Sequence, residues 1–284
     1  MNRRKIVDRA FTALAWGAAL ALAVLLFGLF AFVLLRGWSA LSLDFLLEPP
    51  RDSMTAGGIM TPLIGTLQLV AVSMAVAIPI GTATGLYFAE YARNDWFAAM
   101  LRLAIRSLSG VPSVVFGLFG LSLFVVFFRF GPSLIAAGLT LACLTLPLLV
   151  TASEQAFLAV PGEYRDASYA LGASKWQTIR KVVIPAALPT ILTGIILSIG
   201  RVAGETAPIM FTGAAFFVPG VAKSLFSPVM ALPYHVYVLA TAGTAIEETR
   251  SIQYGTVLVL LLLVLGICSV GIALRSRLRR KREG

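Results

Sequence analysis

Two charges stand where an apolar chain rarely carries any. In ILSIGRVAGETAPIMF, residues 196–211, Arg201 and Glu205 are the only charged side chains between Lys181 and Lys223. They are four residues apart, the spacing of neighbours on one helix face. A charge at the centre of a membrane helix costs about 2.5–3.5 kcal/mol on an insertion scale. Such charges face the interior of a bundle and mark an ion path. A guanidinium stays ionised and offers a planar fork that matches two oxygens of a tetrahedral oxyanion. A glutamate at i+4 satisfies that fork when no anion is present. The bland alternative is a self-neutralised pair that only locks the helix. Thr206 places a hydroxyl beside the pair. Ser109 and Ser113, in the Gly/Pro-broken SGVPS segment, supply two more donors if they face the same path.

Other chemistry lacks material. His235 is the only histidine, so neither a histidine metal site nor a catalytic triad can be assembled. Cys143 and Cys268 lie in apolar runs and have no metal-ligand spacing. No catalytic residue and no metal site is expected. No G-x-x-x-x-G-K-[ST] phosphate loop occurs, so the chain has no ATPase motif of that kind.

The elements that must position these residues are membrane helices. The chain has 284 residues, 58% hydrophobic and 13% charged, with a mean hydropathy of +0.90. Soluble domains average roughly 25% charged residues. A span needs about 20 mostly apolar residues, and six segments qualify, near 10–35, 60–89, 107–128, 132–152, 189–213 and 254–274. They read as an all-α integral membrane protein, a single transmembrane domain over 1–284. MNRRK before the first run resembles a signal peptide, but residues 10–35 exceed the ~7–15 residues of a signal core, so a retained span is expected.

Six spans put both termini on one side. With the N-terminus inside, the basic clusters of 3–9, 93–106, 165–181 and 275–282 all fall inside. Only Arg36, Arg51, Arg129, Lys223 and Arg250 fall outside, as the positive-inside rule requires. The net charge of +10 then anchors the chain to an anionic leaflet of membrane lipid and needs no nucleic acid. The uncharged stretch 227–245 would break this rule as a seventh span. It is expected as a partly helical outer segment on the bundle mouth. GTATG (Gly81, Gly85) and GRVAG (Gly200, Gly204) are close-packing patterns. No internal repeat is visible.

The inner loop 161–189 is informative because it is not polar. Tyr164–Leu171 has helical composition and Gly172 breaks it. Ser174 is a plausible N-cap for a second helix, Lys175–Val183, with Trp176, Ile179 and Val183 on one face. Pro185 is expected to stop that helix before the span that begins near Pro189. An exposed apolar helix–turn–helix implies a docking partner.

DASYALGASKWQTIRKVVIP is similar to the EAA loop of ABC importer permeases. Asp166-Ala167-Ser168, Gly172 and Val182-Val183-Ile184-Pro185 keep the spacing, with Asp for Glu, Ser for Ala, Val for Ile and Ile for Leu. GGIMTPLIGTLQLV, YFAEYARND, SGVPSVVFGLFGL and GRVAGETAPIMFTG, from Gly57 to about Pro233, resemble the permeases of phosphate importers, PstA more closely than PstC. The resemblance implies the MetI-like permease fold and a coupling loop centred on Asp166, Ala167, Gly172, Trp176, Ile184 and Pro185. It implies a second permease (PstC-like), two ATPase subunits (PstB-like) that bind ATP and Mg, and a periplasmic phosphate-binding protein (PstS-like). No cofactor is expected in this chain. The location it implies is the bacterial cytoplasmic (inner) membrane, with both termini cytoplasmic. Permeation of another oxyanion (sulfate, molybdate, phosphonate) stays open. So, at greater distance, does a passive anion channel or proton-coupled carrier, which would have no need of the 166–185 loop.

Overall fold

A bilayer offers no partners for backbone N–H and C=O groups, so long apolar runs must satisfy them within a helix. The computed structural model describes residues 3–92, 96–241 and 246–283 and is almost wholly helical. The helices are α1 (Arg3–Gly37), α2 (Leu43–Leu47), α3 (Met60–Glu90), α4 (Trp96–Leu108), α5 (Ser113–Gly120) and α6 (Leu134–Leu158). They continue with α7 (Gly162–Ala170), α8 (Lys175–Thr178), α9 (Ile184–Gly204), α10 (Ala207–Thr212), α11 (Leu232–Thr241) and α12 (Ile246–Glu283). A small hairpin pairs Pro50–Arg51 with Ala56–Gly57 ahead of α3. Among the described residues five helices are long and apolar enough to cross a membrane, and the bent pair α4–α5 makes a sixth.

The centre of the bundle is α6, two-thirds buried over its apolar window, whereas that of α1 is 6% buried. α3 packs along α6 because Gly81 and Gly85 bring the backbones together. A side chain at Gly81 would meet Leu149, and one at Gly85 would meet Ser153. α9 and α12 run antiparallel, with Gly200 beside Cys268 and Gly271 beside Ile196. α1 packs on α12 where Phe32 meets Tyr254 edge to face. These directions put the ends of α3, α6 and α12 and the start of α9 at one end of the bundle, here called the loop end, with α7 and α8.

Four expectations are corrected. The segment 107–128 is not one straight helix: α4 and α5 meet at 101°, because Pro112 disfavours a helical Val111 and Gly110 precedes it. Beyond Gly120 the helix widens into a π-helical stretch, Leu121–Phe127. The segment 189–213 also divides. α9 ends at Gly204, Glu205 is extended (φ −74°, ψ 130°), and α10 restarts with Pro208 in its first turn. A continuous helix would ask Pro208 to donate an N–H it lacks to the Gly204 carbonyl four residues back.

Pro185 does not stop the preceding helix. Lys175–Gly204 is one helix of 30 residues, carried through by a π-helical stretch at Ile179–Val183 with Pro185 in the next first turn. Finally, Gly204 has open space where a close neighbour was expected.

The segment 213–231 folds back over the end opposite the loop end. Ser133, Leu134 and Ile135 at the start of α6 donate backbone hydrogen bonds to Thr212, Ser227 and Leu225. Gly65 of α3 lies against the Met230 carbonyl, where any side chain would collide. α11 follows, with Leu232, His235 and Leu239 buried. The stretch 227–241 therefore packs on the bundle, and residues 242–245 lie outside the described residues.

Candidate functional site: a broken helix with a charge pair, and a docking loop

Arg201 lies in the last turn of α9, where the negative end of the helix dipole favours a cation. Its Nε donates to Glu205 Oε1 at 3.3 Å. The Arg201 side chain is 39% exposed and that of Glu205 16%. Glu205 stands on the non-helical link, and its N–H donates to Val202. The pair is therefore long and single-toothed. The two terminal nitrogens of Arg201 make no hydrogen bond among the described residues, so the fork keeps its bidentate face free.

Thr206, half-buried, is the N-cap of α10. α10 packs against α5, where a side chain at Gly117 would strike Pro208 and Phe211. Ser113 opens α5 and is half-buried, while Ser109 sits exposed at the α4–α5 bend. No hydrogen bond among the described residues links Ser109, Ser113 or Thr206 to the charge pair. The break therefore brings Arg201, Glu205 and Thr206 together in sequence and space, and α5 lies beside it.

The loop end carries the second feature. Two residues past the end of α7 stands Gly172, whose φ of +79° suits a residue without Cβ. Leu171, Gly172 and Ala173 donate back to Ala167, Tyr169 and Ser168. Ser174 then caps α8 in a reciprocal capping box with Gln177. Asp166 and Ala167 are exposed on α7, and Ile184 and Pro185 are half-buried. Ile184 packs on the Phe157–Val183–Ile191 cluster. The expected exposed face of Trp176, Ile179 and Val183 divides. Ile179 and Val183 are fully buried, but Trp176 is 55% exposed. With Leu171, 90% exposed, it forms an apolar tip facing away from the bundle.

Sequence reasoning missed what fastens this loop. Arg165 of α7 donates to Glu90 Oε1 of α3 through Nε (3.1 Å) and a terminal nitrogen (2.7 Å). It also donates to the Val160 and Phe157 carbonyls at the end of α6, at 2.7 and 2.9 Å. Lys175 donates to the Glu90 carbonyl and covers the Tyr91 ring at 4.4 Å. Ser168 and Thr178 join α7 to α8 through their hydroxyls at 2.9 Å. Nearby, Arg102 of α4 pairs with Glu154 of α6 at 2.7 Å and donates to the Phe88 carbonyl of α3.

A signal was present: Glu90 is the only acid between Asp52 and Asp95, and Glu154 the only one between Asp95 and Glu163. Lone carboxylates at the ends of apolar runs require cations.

The stretch of sequence that carries the broken helix and the loop matches a described family. Residues 77–283 fit the model of the "binding-protein-dependent transport system inner membrane component". The chain belongs to that family. Like its other members it is a multi-pass inner-membrane permease, a transport component with no catalytic activity of its own.

This permease is 35% identical over 276 residues to the probable ABC transporter permease protein YqgI of Bacillus subtilis, covering 93% of each chain. It is 34% identical to the phosphate transport system permease protein PstA of Mycobacterium leprae, covering 99% of this chain and 93% of that one. It is 32% identical to PstA of Yersinia pestis, covering 87% and 84%. Its fold matches an inward-facing MetNI methionine ABC transporter chain with a TM-score of 0.60 at 16% identity, covering 78% of this permease and 97% of that chain. The fold is therefore that of the ABC permeases.

Proposed function

We propose that this permease forms half of the membrane path of an ATP-driven phosphate importer. Relatives named as phosphate permeases, alignable over nearly the whole chain, support the substrate. The observation that carries the path is Arg201, a guanidinium in an apolar helix with one N–H on Glu205 and its two terminal nitrogens free. In this reading Arg201 binds phosphate in transit and Glu205 holds the fork between passages. Thr206, Ser109 and Ser113 contribute hydroxyl donors along the path. A carboxylate beside a dianion weakens binding, which suits release.

The loop end is cytoplasmic in this proposal, as the distribution of Lys and Arg requires, and both termini lie on that side. Asp166, Ala167, Gly172, Trp176, Ile184 and Pro185 belong to the coupling loop, and the exposed Leu171–Trp176 tip seats on an ATPase subunit. Two such PstB-like subunits bind ATP with Mg. A PstC-like permease completes the path, and a PstS-like periplasmic protein delivers phosphate.

The test is phosphate uptake by the complete complex in liposomes, with Arg201→Lys and Arg201→Gln and subunit assembly checked separately. The Gln variant is expected to lose uptake and the Lys variant to retain a fraction. Wild-type uptake by Arg201→Gln overturns the path. Uptake of sulfate in preference to phosphate overturns the substrate.

A further inference from the structure

A second cation lies beside the middle of α9, and the ion path does not use it. Arg275, on α12, donates from a terminal nitrogen to Thr193 Oγ1 at 3.0 Å. The Thr193 hydroxyl in turn donates to the Pro189 carbonyl at 3.3 Å. The guanidinium is thereby turned toward α9. It has no carboxylate partner among the described residues. It borders a cavity of about 280 Å³ lined by Pro189, Thr190, Thr193, Arg275 and Ser276. The Thr190 hydroxyl makes no hydrogen bond among the described residues. Ser276 spends its proton on the Ala273 carbonyl at 2.8 Å and keeps its lone pairs. The cavity therefore presents a fixed positive charge, unspent N–H donors and a free hydroxyl.

A cation without a counter-ion at the edge of an apolar helix normally reaches outward to water. This one is oriented by a threonine into a polar cavity between two helices. A guanidinium fork with one adjacent free hydroxyl is a donor set that suits a tetrahedral group with several charged oxygens. We infer that Arg275, set by Thr193 and flanked by Thr190 and Ser276, binds a phosphoryl group at the loop end of the bundle.

Two sources supply that chemistry. One is the headgroup of an anionic phospholipid in the leaflet around the loop end, where basic pockets between helices take such headgroups. The other is free phosphate, since Thr193 lies eight residues before Arg201, about 12 Å along the same helix. The lipid source does not depend on the transported substrate, whereas the free-phosphate source rests on the function proposed above.

The experiment uses the assembled transporter, carrying Arg201→Gln so that the ion path contributes no phosphate binding. In nanodiscs of phosphatidylglycerol or phosphatidylcholine, native mass spectrometry counts retained lipid. In phosphatidylcholine nanodiscs, labelled inorganic phosphate is titrated. Loss of a charge-assisted contact is expected to lower occupancy about tenfold in Arg275→Gln, with a smaller loss in Thr193→Val. A drop in retained phosphatidylglycerol alone supports the site with lipid as its source. A drop in inorganic phosphate binding alone supports it with the free anion. Equal occupancy with and without Arg275→Gln in that background, for both probes, overturns the site. So does failure of both variants to assemble, which would make the Arg275–Thr193 contact a tie between helices.

Discussion

The contact between Arg165 and Glu90 permits a quantitative prediction. The Glu90 side chain is 8% exposed and that of Arg165 19%, so the pair is mostly removed from water. Removing one member of a buried pair strands the other and costs about 3–5 kcal/mol. The residual exposure of Arg165 places Arg165→Ala near the lower end, about 3 kcal/mol. That variant also frees the Val160 and Phe157 carbonyls. Glu90→Gln keeps an acceptor and leaves those two bonds intact, so it forfeits only the charge-assisted part, about 1–2 kcal/mol. In the double variant no stranded carboxylate remains. The loss should then fall short of the sum by about 1–2 kcal/mol.

The assay is denaturant unfolding of the purified complex, read for all four members of the cycle. Losses that add to within about 0.5 kcal/mol would refute the coupling of Arg165 to Glu90. A second readout rests on the proposed function: ATP hydrolysed per anion moved should rise in Glu90→Gln while subunit stoichiometry stays unchanged.

Three further outcomes are expected. Gly65→Ala drives a Cβ into the Met230 carbonyl and should abolish folded protein, measured as monodisperse yield, because backbone cannot yield as a flexible side chain does. Ser174→Ala removes the capping box and should cost about 1 kcal/mol locally, seen as faster amide exchange over residues 174–178 with α3 and α6 unchanged. Burial lowers the His235 pKa from 6.5 to about 4, and neither ring nitrogen has a hydrogen-bond partner among the described residues. As pH falls through this window the unfolded state takes up a proton that the folded state refuses. Stability should therefore drop by about 3 kcal/mol between pH 6.5 and 4 and level off below. His235→Phe should flatten that slope in thermal unfolding.

Hydropathy and the spacing of Gly made much of this architecture legible. The six apolar runs, the capped turn at Gly172–Ser174 and the α3–α6 approach at Gly81 and Gly85 all follow from local rules. The proline effects were harder to read. Pro112 and Pro208 break their helices, whereas Pro185 is absorbed, because the π-helical stretch before it changes the backbone pairing that proline disturbs. Pattern alone does not report that widening. At the candidate site the Arg201–Glu205 contact was legible from its i, i+4 spacing. The break between the two residues was not, since it depends on how Pro208 and α10 settle against α5. The partners of Glu90 and Glu154 were likewise hidden, because they lie 75 and 52 residues away in the chain.

The uninterrupted helix from Lys175 to Gly204 has a mechanical consequence. Its 30 residues make a rod about 45 Å long. One end carries the exposed Trp176, and the other carries Arg201. Glu205 lies past the end of the rod, on the link to α10, which leans on α5. A rod pivoting by 10° about its middle swings each tip by about 4 Å. Glu205, bonded to Gly204 and donating its N–H to Val202, travels with the tip, so a modest rocking applied at the loop would carry the charge pair across α5 with no bond inside the helix disturbed.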